Sequence, residues 1–214
     1  LKMLRVGFIL NFNKDKWRGG YEYIKNLISL IREVKNQNIK ITILTSNNFN
    51  NAYFKDLGKV SIKKSIFLEN NNFYRILHKI LIIIFGKNLF LENLLKTNNI
   101  NFLSHFYFLG KNSTINNLYW IPDFQEVKML KYLSFKQKIM RKINLYLASK
   151  HSTNILLSSD SVRNDLKKLN KLGFSKSKVL KPVFEVKNLN KIPKLSYIKK
   201  KYNIEKNYFF LPNQ

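Results

Sequence analysis

The 214-residue chain contains no cysteine. Disulfides, thiolate nucleophiles and zinc sites built on sulfur are excluded, and the composition is compatible with a reducing cytoplasm. Acidic residues are scarce, with 12 Asp and Glu against 39 Lys and Arg, for a formal net charge of +27. No clustered carboxylate motif is present, and His78 and His105 have no acidic or histidine partner at ligand spacing, so no metal is expected. The most apolar run, Ile80 to Phe85, is too short to span a bilayer. No secretory signal precedes the first apolar run, and a cytoplasmic location is expected. Only 7 glycines occur, which makes the adjacent pair Gly19 and Gly20 informative.

What remains is a normal globular composition, 45% hydrophobic, in which folding is expected. The positive charge calls for an anionic partner. The lysines are spread along the whole chain with no zinc finger, basic recognition helix or RNP aromatic pair, so no specific nucleic acid is expected. An anionic membrane surface is the other candidate, reached without a spanning helix, which would place the protein peripherally on the inner face of the cell membrane. Lys, Asn, Ile and Phe also dominate together as an AT-rich genome would produce.

The hydrophobic pattern alternates between strand and helix periods. An apolar strand from Leu4 to Phe12 leads through a basic loop to Trp17, Arg18, Gly19 and Gly20, where a helix begins with Ile24, Leu27, Ile28, Ile31 and Val34 on one face. Glycines let the backbone approach a ligand closely while the first N–H groups of the helix favour an anion, so strand, glycine turn and helix form a phosphate-cradling unit. The same residues also fit a structural turn whose glycines only let the helix pack, and the third glycine of a dinucleotide fingerprint is missing. Further strands are expected at Ile39 to Thr45, Val60 to Phe67, Asn101 to Phe108, Asn117 to Ile121, Asn154 to Leu157 and Lys178 to Val183. A helix is expected from Phe73 to Lys96, broken at Gly86. Its apolar centre suits either a core helix or an interfacial one with Arg75, His78, Lys79 and Lys87 at headgroup level.

A basic helix from Lys136 to Lys150 is expected to bury Ile139, Ile143, Tyr146 and Leu147, and another starts at Ser158 and Ser159, faces Val162, Leu166 and Leu169 inward and stops at Gly173. The fold class is α/β, a Rossmann-like parallel sheet with helices on both faces. Ligands bind beyond the carboxyl ends of such strands, so the loop Asp123, Phe124, Gln125 after Pro122 and the Gly19, Gly20 loop face one crevice. The domain spans 1–185, a linker 186–195 contains Pro193, and a second unit starts over 196–214 with a short basic helix and a strand from Tyr208 to Leu211. That strand ends where a second α/β unit would begin, and a truncated chain is expected.

The runs RGGYEYIKNLISLI (Arg18 to Ile31), WIPDFQ (Trp120 to Gln125), NILLSSDSVRNDL (Asn154 to Leu166) and YFFLPNQ (Tyr208 to Gln214), in that order, resemble the retaining glycosyltransferases of family 4, also called group 1. Those enzymes pair two Rossmann-like domains in the architecture known as GT-B. The resemblance covers essentially the whole chain and implies the amino-terminal, acceptor-binding half plus the first strand of the donor half. It implies that Arg18, Gly19 and Gly20 lie against the diphosphate of a nucleotide-sugar co-substrate, with no further cofactor. It places Asp123 near the transferred sugar, although Pro122 stands where many members have a histidine, so general-base work by that histidine is not available. Trp120, Phe124, Gln125, Ser158 and Ser159 are implied substrate contacts. Each has a plainer role beside it: Asp123 a turn former, Ser159 a helix cap, Trp120 a core residue.

The expected function is transfer of a sugar from a nucleotide donor to a cell-surface glycan or lipid-linked acceptor. The residues that neutralise the leaving diphosphate in the family belong to the donor half, so the 214 residues alone are expected to be inactive. A non-catalytic GT-B-like partner and, behind it, a basic nucleic-acid-binding module are the competing classes.

Overall fold

The computed structural model describes residues 3–11, 17–34, 38–50, 54–55, 57–58, 60–69, 71–124, 133–182 and 193–206. β1 (Leu4–Ile9) sends Val6, Phe8 and Leu10 to one side and Ile9 to the other, because successive residues of a strand point to opposite faces. α1 (Arg18–Glu33) covers the first side with Ile24 and Ile28, both fully buried, and each such burial is worth about 1.5–3 kcal/mol. Val34 lies beyond the last turn in extended backbone and is exposed rather than part of the buried face.

β2 (Ile39–Thr45) pairs with β1, Val6 opposite Ile41, and β3 (Ser61–Lys64) pairs with β2. β3 is shorter than its apolar run because Ser65 caps a 3-10 turn, Ile66–Leu68, accepting from the Phe67 N–H. The expected break falls at Gly86 and leaves two helices, α2 (Asn72–Phe85) and α3 (Leu89–Thr97); the φ of 68° at Gly86 ends α2 in the left-handed region. Leu91 and Leu95 of α3 pack with Ile9 on the second face of the sheet.

β4 (Phe102–His105) ends sooner than the aromatic run after it, because His105 adopts φ 84° and a strand cannot continue through that conformation. β5 (Asn116–Ile121), α4 (Phe135–His151), β6 (Asn154–Leu157), α5 (Asp160–Leu169), α6 (Lys171–Ser175) and β7 (Ser177–Val179) complete the unit. Among the described residues, seven strands form one all-parallel sheet in the order β3-β2-β1-β4-β5-β6-β7. The fold is α/β and Rossmann-like, with helices on both faces.

Three expectations within this unit are corrected. Gly173 does not end a helix; it lies buried inside α6, where an added Cβ would stand 2.6 Å from Ser149 Oγ. The preceding helix stops at Asn170 instead, whose side chain caps α6 by accepting from the Gly173 N–H, and Leu169 is exposed. α4 buries Leu147, Ala148, Ser149 and His151, while Ile139, Ile143 and Tyr146 face outward. At about 100° per residue those three sit opposite Ala148, on the side away from the contact that Ser149 makes with Gly173 of α6.

The chain divides into the unit just described, Leu1–Val183, and a second, Phe184–Gln214, in which α7 (Leu195–Lys201) is an exposed basic helix. Gln125, residues 186–192 of the expected linker and the expected strand Tyr208 to Leu211 lie outside the described residues.

Candidate functional site

The strand order runs outward in two directions from β1 and β4, and a crevice opens beyond the carboxyl ends of these strands. α1 starts there. Trp17 precedes it, and among the described residues no side chain caps the helix, so its first N–H groups keep their capacity for an anion. The two glycines have separate tasks. Gly20 is buried under the Trp17 indole, where a Cβ would stand 2.5 Å from the ring, whereas nothing lies within 4 Å of a Cβ at Gly19. Arg18 and Gly19 are exposed.

Behind the helix start is a cluster of rings. Trp120 stacks on Tyr23 at 4.3 Å and on Trp17 at 5.7 Å, and its Nε1–H donates to Ser158 Oγ at 3.3 Å. His105, 1% exposed, pairs through Nδ1 with Ser104 Oγ at 2.6 Å and through Nε2 with Tyr23 Oη at 3.3 Å. Either neutral tautomer makes both contacts. Burial lowers the His105 pKa to about 3 and pushes the Tyr23 hydroxyl up to about 12, so both are uncharged near neutrality. Trp120 and Phe124 are 7% and 3% exposed and pack in the interior, and both also border the smaller cavity described below. Ser159 caps α5, accepting from the Val162 N–H at 3.2 Å.

Two neighbouring cavities fill the crevice. The larger, about 370 Å³, lies between the strand ends and α2 and is bordered by Asn11, Arg75, Lys79, Tyr107, Tyr119 and Asn144. None of the described residues lining it is acidic. Asn11 ties its floor together, donating to the Leu68 carbonyl at 2.6 Å and accepting from the Ser46 N–H at 2.9 Å. Burial, reinforced by the charge of Arg75, lowers the Lys79 pKa. Burial raises Tyr119 to about 12, with Tyr107 adding to it, so its hydroxyl is a neutral hydrogen-bonding group.

The smaller cavity, about 210 Å³, shares Tyr119 and Asn144 with the first and is bordered by Pro122, Asp123, Phe124 and Arg141. The Asp123 carboxylate is half-buried at its wall. A cationic, hydroxyl-rich space continuing to a carboxylate suits an anionic ligand with a polyhydroxyl portion.

Sequence reasoning brought Gly19, Asp123 and Ser158 to this end of the sheet and missed Asn11, Arg75, Lys79, Tyr119 and Asn144. The basic pair four residues apart on α2 was the available signal. His78, expected with them at a membrane headgroup level on one reading, is instead 7% exposed: its Nε2–H donates to the Phe67 carbonyl at 2.8 Å and its Nδ1 accepts from Asn88 Nδ2 at 2.7 Å. Burial lowers its pKa against the pull of both bonds.

No protein-family model and no curated protein matches the chain. Among solved structures it is similar in fold to a glycosyltransferase from Rickettsia africae ESF-5, with TM-score 0.51 and 12% identity over 97% of this chain and 51% of that one. It is also similar to a UDP-N-acetylglucosamine 2-epimerase, with TM-score 0.50 and 12% identity over 83% of this chain and 48% of that one. The chain spans about half the length of these structures.

Proposed function

We propose that the chain is the acceptor-side half of a retaining GT-B glycosyltransferase that moves a sugar from a nucleotide donor to a cell-surface glycan or lipid-linked acceptor. The observation that carries this reading is the continuity of three features at the carboxyl ends of the strands: a helix start that no side chain among the described residues caps, with an open glycine, a cationic cavity, and the Asp123 carboxylate. The likeness in fold to a glycosyltransferase and to a UDP-N-acetylglucosamine 2-epimerase supports it.

In this reading the donor diphosphate lies at the Arg18 and Gly19 N–H groups. The helix N-terminus stabilises the negative charge that grows on the diphosphate as the sugar leaves, which lowers the barrier without a protein nucleophile. Asp123 accepts a hydrogen bond from a sugar or acceptor hydroxyl. Pro122 next to it has no proton acceptor in its side chain, and that one residue also favours a second reading, a GT-B-like partner that binds the glycan without turning it over.

Gly19→Glu tests the diphosphate assignment. The position has room, and a carboxylate in the first turn of a helix is neutral or stabilising for the fold. In the polypeptide the gene encodes, titrated with a panel of nucleotide sugars, the substitution is expected to weaken donor binding roughly tenfold or more while Tm holds or rises. Unchanged donor affinity would remove the helix start from the site. Asp123→Asn separates the two readings: transfer that falls with donor affinity kept supports the enzyme, and donor binding with no turnover in the wild type supports the partner.

A further inference from the structure

The surface carries an apolar feature that the crevice does not use. On α2, Phe73, Ile76, Ile80, Ile83 and Ile84 are between 44% and 67% exposed, and on α4, Phe135, Ile139, Ile143 and Tyr146 are between 40% and 79% exposed. At about 100° per residue, the α2 set lies opposite the buried His78 and Ile82, and the α4 set opposite the buried Ala148. Each helix therefore carries an apolar stripe on the side turned away from the core. The two outward stripes meet, because Ile83 and Ile84 of α2 and Ile143 and Tyr146 of α4 line one open trough of about 550 Å³. Scattered exposed isoleucines are ordinary, but two facing stripes joined across a trough form a contiguous apolar surface of the kind that marks an interaction site.

The charges around it select the occupant. Neither helix contains an aspartate or glutamate, while Lys79 flanks the stripe on α2, Lys136, Lys142 and Lys150 flank it on α4, and Lys111 lines the trough. Lys150 Nζ lies 5.5 Å over the Tyr146 ring and donates to its hydroxyl at 3.3 Å, so an ammonium sits at the edge of the trough itself. A second copy of the chain would set these cations against their own kind with no carboxylate on either helix to answer them. Isoleucines offer nucleic acid neither a stacking face nor a hydrogen bond. A surface that is apolar at its centre and anionic at its rim is what the stripe and its flanks complement together.

We propose that the outward face of α2 and α4 docks on an anionic lipid bilayer, with the isoleucines and Phe135 in the interfacial region and the lysines among the phosphates. The helices lie on the bilayer and do not cross it: α2 has 14 residues and is about 21 Å long, shorter than the hydrocarbon core. Among the described residues no helix is long and apolar enough to cross a membrane. The docking surface stands independently of the transferase reading, since it uses none of the crevice residues except Lys79 at its rim.

The test is flotation of the chain with vesicles of phosphatidylcholine alone and with one quarter phosphatidylglycerol, using wild type and the double variant Ile83→Ser, Ile84→Ser. Both positions are more than half exposed, so the fold is kept, and a circular-dichroism melt checks it. Wild type is expected to float with the anionic vesicles and not with the neutral ones, and the double variant to lose roughly tenfold or more of that partitioning at unchanged Tm. Equal partitioning of variant and wild type overturns the assignment of this face, and failure of wild type to float with anionic vesicles overturns docking altogether. Light scattering that shows a dimer dissolved by the double variant would assign the face to a second copy instead. Sugar transfer enters none of these readouts, so failure here leaves the transferase reading to its own test.

Discussion

His105 combines a φ of 84° with 1% exposure, two conditions that a side chain with a titratable ring meets together only when its surroundings hold it firmly. Ser104, Tyr23 and the rings of Phe8 and Trp120 are those surroundings. The position has a consequence for stability. An imidazole that titrates near 6.5 in the unfolded chain and at about 3 in the folded one takes up its proton first when the chain is unfolded. The stabilisation is complete above 6.5 and is lost progressively as pH falls toward 3, at up to about 1.4 kcal/mol per pH unit. His78 and His151 are shifted in the same direction by burial and share this acid limb. Asparagine tolerates positive φ and does not titrate, so His105→Asn is expected to make the limb shallower, from a plateau above pH 7 lowered by the ring packing that the smaller side chain gives up. Urea unfolding at a series of pH values reads this directly, and an unaltered slope would mean that the ring is not buried neutral.

At the scale of elements, the joint between α2 and α3 is one hydrogen-bonded chain. Asn88, fully buried, caps α3 by accepting from the Leu91 N–H and at the same time donates to His78 of α2, which in turn donates to the Phe67 carbonyl. Asn88→Ala removes a helix cap and leaves the buried imidazole nitrogen unpaired, an expected loss of about 2–4 kcal/mol by chemical denaturation. Asn88→Asp keeps the cap but not the donor, and is expected to recover part of the loss; equal losses in both variants would show that the link to His78 contributes little. The break at Gly86 was legible because glycine is the residue that ends a helix in the left-handed region. The strands were legible as β-branched and aromatic runs, and β6 was read to the residue. The carboxyl limit of β4 was not, because nothing in the run through Phe106, Tyr107 and Phe108 announces that His105 turns the chain. The buried side of α4 was misread for a related reason: periodicity finds an apolar face and cannot say whether the sheet or something outside the molecule covers it.

For the molecule as a whole, the sequence indicated where a site would form better than it indicated what lines it. The parallel order of strands places a crevice at β1 and β4 whatever their side chains are, so Gly19 and Asp123 could be brought to it from motif positions alone. Asn11, Arg75, Tyr119 and Asn144 come from the loop after β1, from α2, from β5 and from α4, and only tertiary packing collects them. Charge is the other property of the whole. With 39 basic residues against 12 acidic ones, the folded chain holds like charges closer together than the unfolded chain does, and that repulsion works against folding. Added sodium chloride screens it, the Debye length shrinking from about 30 Å at 0.01 M to about 8 Å at 0.15 M. Tm is therefore expected to rise by a few degrees over that range, the shift that about 1 kcal/mol gives in a chain of this size. The same salt weakens attraction between the basic rim of α2 and α4 and anionic vesicles, so one titration should move two quantities in opposite directions, stability up and vesicle partitioning down. A Tm that stays flat or falls would mean that the cations are already balanced within the fold, and they would then have little left to offer an anionic surface.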